Sequence, residues 1–146
     1  MTVKLPAAQV DQYLLRVGVD PASGAAWCAA FAYWCFDEAA RQLGLVNPCV
    51  KTARVLSQWV RSPQANRIPA EAAFDDPRLI RPGALFVIDH GSGRGHTGLV
   101  VKVLTGEIAT IEGNTNERGS REGDGVYQKV RSIASINLGF IDHAPR

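Results

Sequence analysis

A chain of 146 residues, 46% hydrophobic and 21% charged, is long enough for one domain with a real core and too apolar to be a disordered segment. Sixteen Lys and Arg against fourteen Asp and Glu leave a net charge of +2, too little to argue for nucleic acid binding. No run approaches the ~18 apolar residues of a membrane span, and the first residues lack the apolar stretch of a signal peptide.

The elements divide into a helical first half and a strand-rich second half, which predicts an α+β class in one domain spanning residues 1–146. Val10, Tyr13, Leu14 and Val17 recur at helical spacing, so a helix is expected over 7–17, stopped by Gly18 and Asp20-Pro21. A run of small residues, Ser23-Gly24-Ala25-Ala26, leads into a second helix from Trp27 to Leu43. Its broad apolar stripe (Cys28, Phe31, Cys35 and Ala39, flanked by Trp27, Ala30 and Trp34) predicts a mostly buried helix closed by Gly44. A third helix is expected over 52–60. Residues 61–80 read as a polar connector with one short helical turn near 70–74. Arg81-Pro82-Gly83 signals a turn, and strands are expected at 84–89, 96–103, 107–112, 125–130 and 138–141. This gives N-terminal helices packed on an antiparallel sheet of about five strands.

The chain has three cysteines: Cys28, Cys35 and Cys49. An odd count without a C-x-x-C pair is neither a disulfide framework nor a zinc knuckle, although Cys35 and Cys49 could pair if the fold brings them together. Cys28 falls in the first turn of the longest helix. Unpaired N–H groups and the helix dipole there favour a thiolate, and the Cys28 N–H could serve an oxyanion. The plainer reading, a small buried hydrophobe, fits Cys35 better than Cys28.

Of the three histidines, His96 stands at the mouth of a strand between glycines, Gly95-His96-Thr97-Gly98. The following hairpin turns through Leu104-Thr105-Gly106. A three-residue loop with Gly106 left-handed avoids positive φ at Thr105. That register pairs Val103 with Glu107, and hence Gly98 with Glu112 and His96 with Asn114. Imidazole, carboxylate and amide then share one face, and Glu112 or Asn114 can fix the histidine tautomer. Tyr13 and Trp27 are candidate substrate contacts, with core packing as the alternative. The loop Thr115 to Asp124 is expected to border the cleft.

Three segments, Ala26-Trp27-Cys28-Ala29-Ala30-Phe31, Arg94-Gly95-His96-Thr97-Gly98-Leu99-Val100-Val101 and Ile111-Glu112-Gly113-Asn114-Thr115-Asn116, resemble the CHAP domain (cysteine, histidine-dependent amidohydrolase/peptidase). Arg81-Pro82-Gly83-Ala84-Leu85-Phe86 resembles the strand start that precedes the family's histidine, with Ala84 where many relatives carry Asp. The resemblance implies a papain-like fold and cleavage of an amide bond in peptidoglycan, as an amidase or an endopeptidase. It carries over Cys28 as nucleophile, His96 as base, and Glu112 and Asn114 as polar partners. No cofactor is expected. Some relatives bind calcium, but Asp20 alone before Cys28 is too little for a calcium cage. With no signal peptide visible, delivery to the cell wall would be by phage lysis or a secretion machine, or the domain is excised from a longer protein. An antibacterial toxin of this kind would need an immunity protein as inhibitor. The alternative is an inactive papain-like module that binds peptidoglycan or a partner protein.

Overall fold

The computed structural model describes residues 2–4, 6–115 and 125–144, with side chains at 6, 8–113 and 125–144. Four helices, α1 (Ala7–Arg16), α2 (Cys28–Leu43), α3 (Val55–Arg61) and α4 (Ala70–Asp75), precede most of the sheet. The strands are β1 (Thr2–Lys4), β2 (Arg67–Pro69), β3 (Leu85–Gly91), β4 (Arg94–Val103), β5 (Glu107–Thr115), β6 (Gly125–Ser132) and β7 (Gly139–Ile141). They form one antiparallel sheet in the order β1-β6-β5-β4-β3-β7-β2. The α+β class therefore holds. The sheet has seven strands rather than about five, because β1 and β2 are three-residue edge strands too short to carry an alternating pattern. Pro69 sits in β2, where an edge tolerates its missing N–H. Among the described residues no helix is long and apolar enough to cross a membrane.

β3 explains the position of everything near the site. Leu85, Phe86, Val87 and Ile88 are all buried. Leu85 and Val87 join Cys28, Ala29, Ala32, Val55 and Ile141 in one cluster. Phe86 and Ile88 join Val100, Ile108, Phe140, Ala73 and Ile133 in another. Each such side chain contributes about 1.5–3 kcal/mol of burial, so the strand is held from both faces and its neighbour β4 takes a fixed place beside it. α2 is less buried than its stripe suggests. Cys28 to Ala32 are buried, but Ala39 is exposed and Leu43 is 70% exposed. Sixteen residues span about 24 Å, and beyond Ala32 only Ala40 of the helix is buried. α3 starts at Val55 rather than Thr52 because the Thr52 hydroxyl accepts the Arg54 N–H at 3.0 Å and holds residues 52–54 in a turn.

The β4–β5 hairpin reaches the expected register by an unexpected route. Near the site Leu99 faces Ile111 and Val100 faces Thr110, as anticipated. At the turn, Val103 faces Ile108 instead of Glu107, and a bulge between Val100 and Lys102 absorbs the one-residue difference. Gly106 is left-handed (φ +70°), and the Leu104 N–H donates to the Glu107 carbonyl at 2.8 Å, so the loop is tighter than the three residues expected.

Candidate active site

Cys28 is the first residue of α2, with Trp27 at the N-cap. Negative charge on its sulfur would lie at the favourable end of a four-turn helix. The residue is 1% exposed and lines a cleft of about 530 Å³. The cleft runs between Ser23, Ala25 and Ala26 on one side and Lys51 to Val55 on the other, with Gly93 and Gly95 of the β3–β4 hairpin closing it. Asp20, the one carboxylate in the loop before Cys28, accepts the Ala22 N–H at 2.9 Å and caps a short turn. Among the described residues no group of three or more His, Cys, Asp or Glu could hold a metal ion.

His96 lies opposite Ile88 with its ring against Phe86, and it is 1% exposed. Its Nε2 is 2.7 Å from Glu112 Oε1. Glu112 is also fully buried, and as a carboxylate it can only accept, so Nε2 carries the proton. The other ring nitrogen, Nδ1, is buried without a hydrogen-bond partner among the described residues. It is the nitrogen left to exchange a proton with the Cys28 thiol, whose influence on the imidazole raises its pKa. Burial would lower the His96 pKa. Cys28 and Glu112 outweigh it and raise the pKa to about 9.

The closeness of His96 and Glu112 depends on Gly98. A Cβ there would fall 2.6 Å from Phe86 Cε2 and 2.7 Å from Glu112 Cγ. Only a residue without a side chain lets the carboxylate cross to the imidazole. Gly113 serves the helix in the same way, since a Cβ there would strike the Phe31 ring of α2 at 2.7 Å. The glycines of the second and third segments thus bring sheet and helix within reach of each other.

Sequence reasoning missed Arg131 on β6. Its Nε donates to Glu112 Oε2 at 2.6 Å and its Nη2 to Oε1 at 2.7 Å, while the Thr110 hydroxyl donates to Oε2 at 2.6 Å. Burial would raise the Glu112 pKa, but Arg131 and His96 overcome this and hold it at about 2. Arg131 shares the parity of Tyr127, which pairs with Glu112. That signal needs the β5–β6 register, and no tight turn in the sequence fixes it.

The remaining candidates separate cleanly. Tyr13 and Trp27 are 4% and 6% exposed and stack at 5.6 Å between ring centroids, in a cluster with Leu14, Ala30 and Phe31. They are core aromatics that join α1 to α2, and neither lines the cleft. Cys35 and Cys49 are free thiols, and burial pushes both up to about 12. The side chain of Asn114 and the loop 116–124 lie outside the described residues.

The geometry brings thiol, imidazole and carboxylate into one buried line, a set able to form and resolve a thioester. The CHAP domain profile matches residues 20–114, which include Cys28, His96 and Glu112. No curated protein and no solved structure gives a significant match. With well over half of its length matched, the chain belongs to the CHAP domain family, a family of peptidoglycan amidases and peptidases.

Proposed function

We propose that the protein hydrolyses an amide bond of the peptidoglycan peptide stem, with Cys28 as nucleophile, His96 as proton carrier and Glu112 as the group that orients it. The observation that carries this reading is a buried His96 bonded to Glu112 on one nitrogen and influenced by Cys28, with the Cys28 side chain lining a cleft. The Cys28 thiol gives its proton to Nδ1 and its sulfur attacks the carbonyl carbon. The oxyanion forms at the N-terminus of α2, where the helix dipole favours it. Collapse breaks the C–N bond, and the leaving amine takes the proton from Nδ1. Water then gives a proton to Nδ1 and attacks the thioester, the C–S bond breaks, and the acid product leaves. Glu112 keeps Nε2 protonated throughout, and Asn114 is the further polar partner that the family pattern assigns.

The test is digestion of purified peptidoglycan with mass spectrometry of the released fragments, which also identifies the bond. Cys28→Ala should lower release by at least about 10⁴-fold while the protein still unfolds in one cooperative thermal transition. Undiminished release by that variant would overturn the assignment.

A further inference from the structure

The cleft beside Cys28 has a charge asymmetry that the catalytic line does not use. Its charged lining residues are Lys51 and Arg54, and no Asp or Glu lines it among the described residues. The whole chain is nearly balanced, at sixteen basic against fourteen acidic residues. Two cations without a counter-charge among the described residues therefore mark this wall as locally distinct. Both side chains are exposed, and no ion pair involves either of them among the described residues.

The wall is also built rather than loose. Thr52 holds the Arg54 N–H, and Arg54 is the N-cap of α3. Val55, the next residue, is buried and packs beside Gly95, immediately before His96. Behind Lys51, the Cys49 N–H donates to Asn47 Oδ1 at 2.9 Å. Gln58, 1% exposed, donates to the Ala29 carbonyl at 3.3 Å and contacts Cys49 Sγ at 3.6 Å. The segment carrying the two cations is thus tied to the first turn of the helix that carries Cys28.

We propose that Lys51 and Arg54 form a carboxylate subsite that selects peptide substrates with a free acid group near the scissile amide. This rests on the amide-hydrolase reading above and gives it a substrate class. A peptide stem carries such groups, among them an internal carboxylate on its γ-linked acidic residue and its C-terminal carboxylate. Arg offers a planar pair of donors and Lys a point charge, so together they suit one carboxylate approached from one side. Neither belongs to the Cys28–His96–Glu112 line, so their effect should fall on binding rather than on the chemical step.

The experiment compares cross-linked muropeptides, which keep both the sugar–peptide amide and the stem amides, with both acids free, with the internal acid amidated, and with the C-terminal acid amidated. Wild-type kcat/KM should fall about tenfold on amidation at one of the two positions, through KM, and that position names the carboxylate. In Lys51→Gln/Arg54→Gln the ratio of acid to amide should drop to about one. In Lys51→Glu/Arg54→Glu it should invert, with the acid the poorer substrate, and thermal unfolding of both variants should match wild type. Equal cleavage of all three peptides by wild type would overturn the subsite alone, as would an undiminished preference in the double variants. If wild type cuts none of them, the amide-hydrolase reading falls and the subsite with it.

Discussion

Cys28 and the pair Cys35 and Cys49 are the same chemical group in two kinds of burial. Burial pushes Cys35 up to about 12, and burial with a smaller contribution from Cys35 does the same to Cys49, so both stay protonated at any ordinary pH. Cys28 is at least as buried, at 1% exposure, but it adjoins an imidazole whose pKa is raised to about 9. Behind that imidazole stands Glu112, held at about 2, and behind Glu112 stands Arg131. Once the Cys28 proton has passed to His96, as proposed above, the charges alternate: Arg131 positive, Glu112 negative, His96 positive, Cys28 negative. The sum is zero with Arg131 and negative without it. A low-dielectric interior rejects a lone charge but tolerates an alternating line whose members are hydrogen-bonded. On the proposed mechanism, thiol reactivity is set by the neighbour in the line, not by depth.

The strongest way to break the comparison is to remove the imidazole. At pH 7 iodoacetamide should modify wild-type protein quickly at one site. In His96→Ala no base stands beside the Cys28 thiol, which then behaves as an ordinary thiol. About 3% or less is then thiolate at pH 7, so the alkylation rate should fall at least about thirtyfold. An unchanged rate would mean that the helix terminus alone activates the sulfur.

Next in size is the far end of the line. Arg131→Met strips two charge-assisted hydrogen bonds from a carboxylate that is 0% exposed. Breaking a buried pair from one side costs about 3–5 kcal/mol, readable as a lower urea midpoint. Arg131→Lys restores charge but not the two-pronged geometry and should recover only part of the loss. Adding Glu112→Gln to Arg131→Met should recover stability, since no unpaired charge then remains, whereas activity should not return. Additive losses in that double variant would remove Arg131 from the line.

The same line predicts how stability changes with pH. Glu112 titrates at about 2 when folded against an ordinary 4.5, so its contribution is present above 4.5 and disappears as pH falls toward 2. His96 titrates at about 9 against an ordinary 6.5, so its contribution is present below 6.5 and disappears as pH rises through 9. Each shift is worth roughly 3 kcal/mol. Urea midpoints should be highest between pH 4.5 and 6.5 and fall on both sides. Glu112→Gln should flatten the acid limb, and a limb that keeps its full depth would point to other carboxylates.

The sequence alone reveals one half of the line more readily than the other. Cys28, His96 and Glu112 lie on elements whose geometry is local: a helix start and a hairpin with a constrained turn. Even there the turn-end pairing differs, because a tight loop with a later bulge and a three-residue loop lead to the same pairing at Leu99 and Ile111. Arg131 is hidden because its strand is joined to β5 through a long loop that sets no register. Lys51 and Arg54 are hidden because their turn reads as the start of a helix. The edge strands β1 and β2 escape notice for want of length, and Tyr13 and Trp27 show that helical spacing cannot separate an aromatic that faces a groove from one that faces a neighbouring helix.

The smallest effect sharpens the comparison from the other side. Cys35→Ala removes a sulfur from the cluster that holds Tyr13 and Trp34, and Cys49→Ala removes the sulfur that Gln58 contacts at 3.6 Å while leaving its bond to Ala29. Neither thiol belongs to the charge line, so each replacement should cost about 1 kcal/mol of packing and leave the pH profile of peptide release where it was. Alkylation at pH 7 should still reach one equivalent per chain in both variants, and none in Cys28→Ala. If stoichiometry falls in Cys35→Ala or Cys49→Ala instead, the reactive sulfur is one that burial was said to silence, and the contrast between the two kinds of buried thiol does not hold.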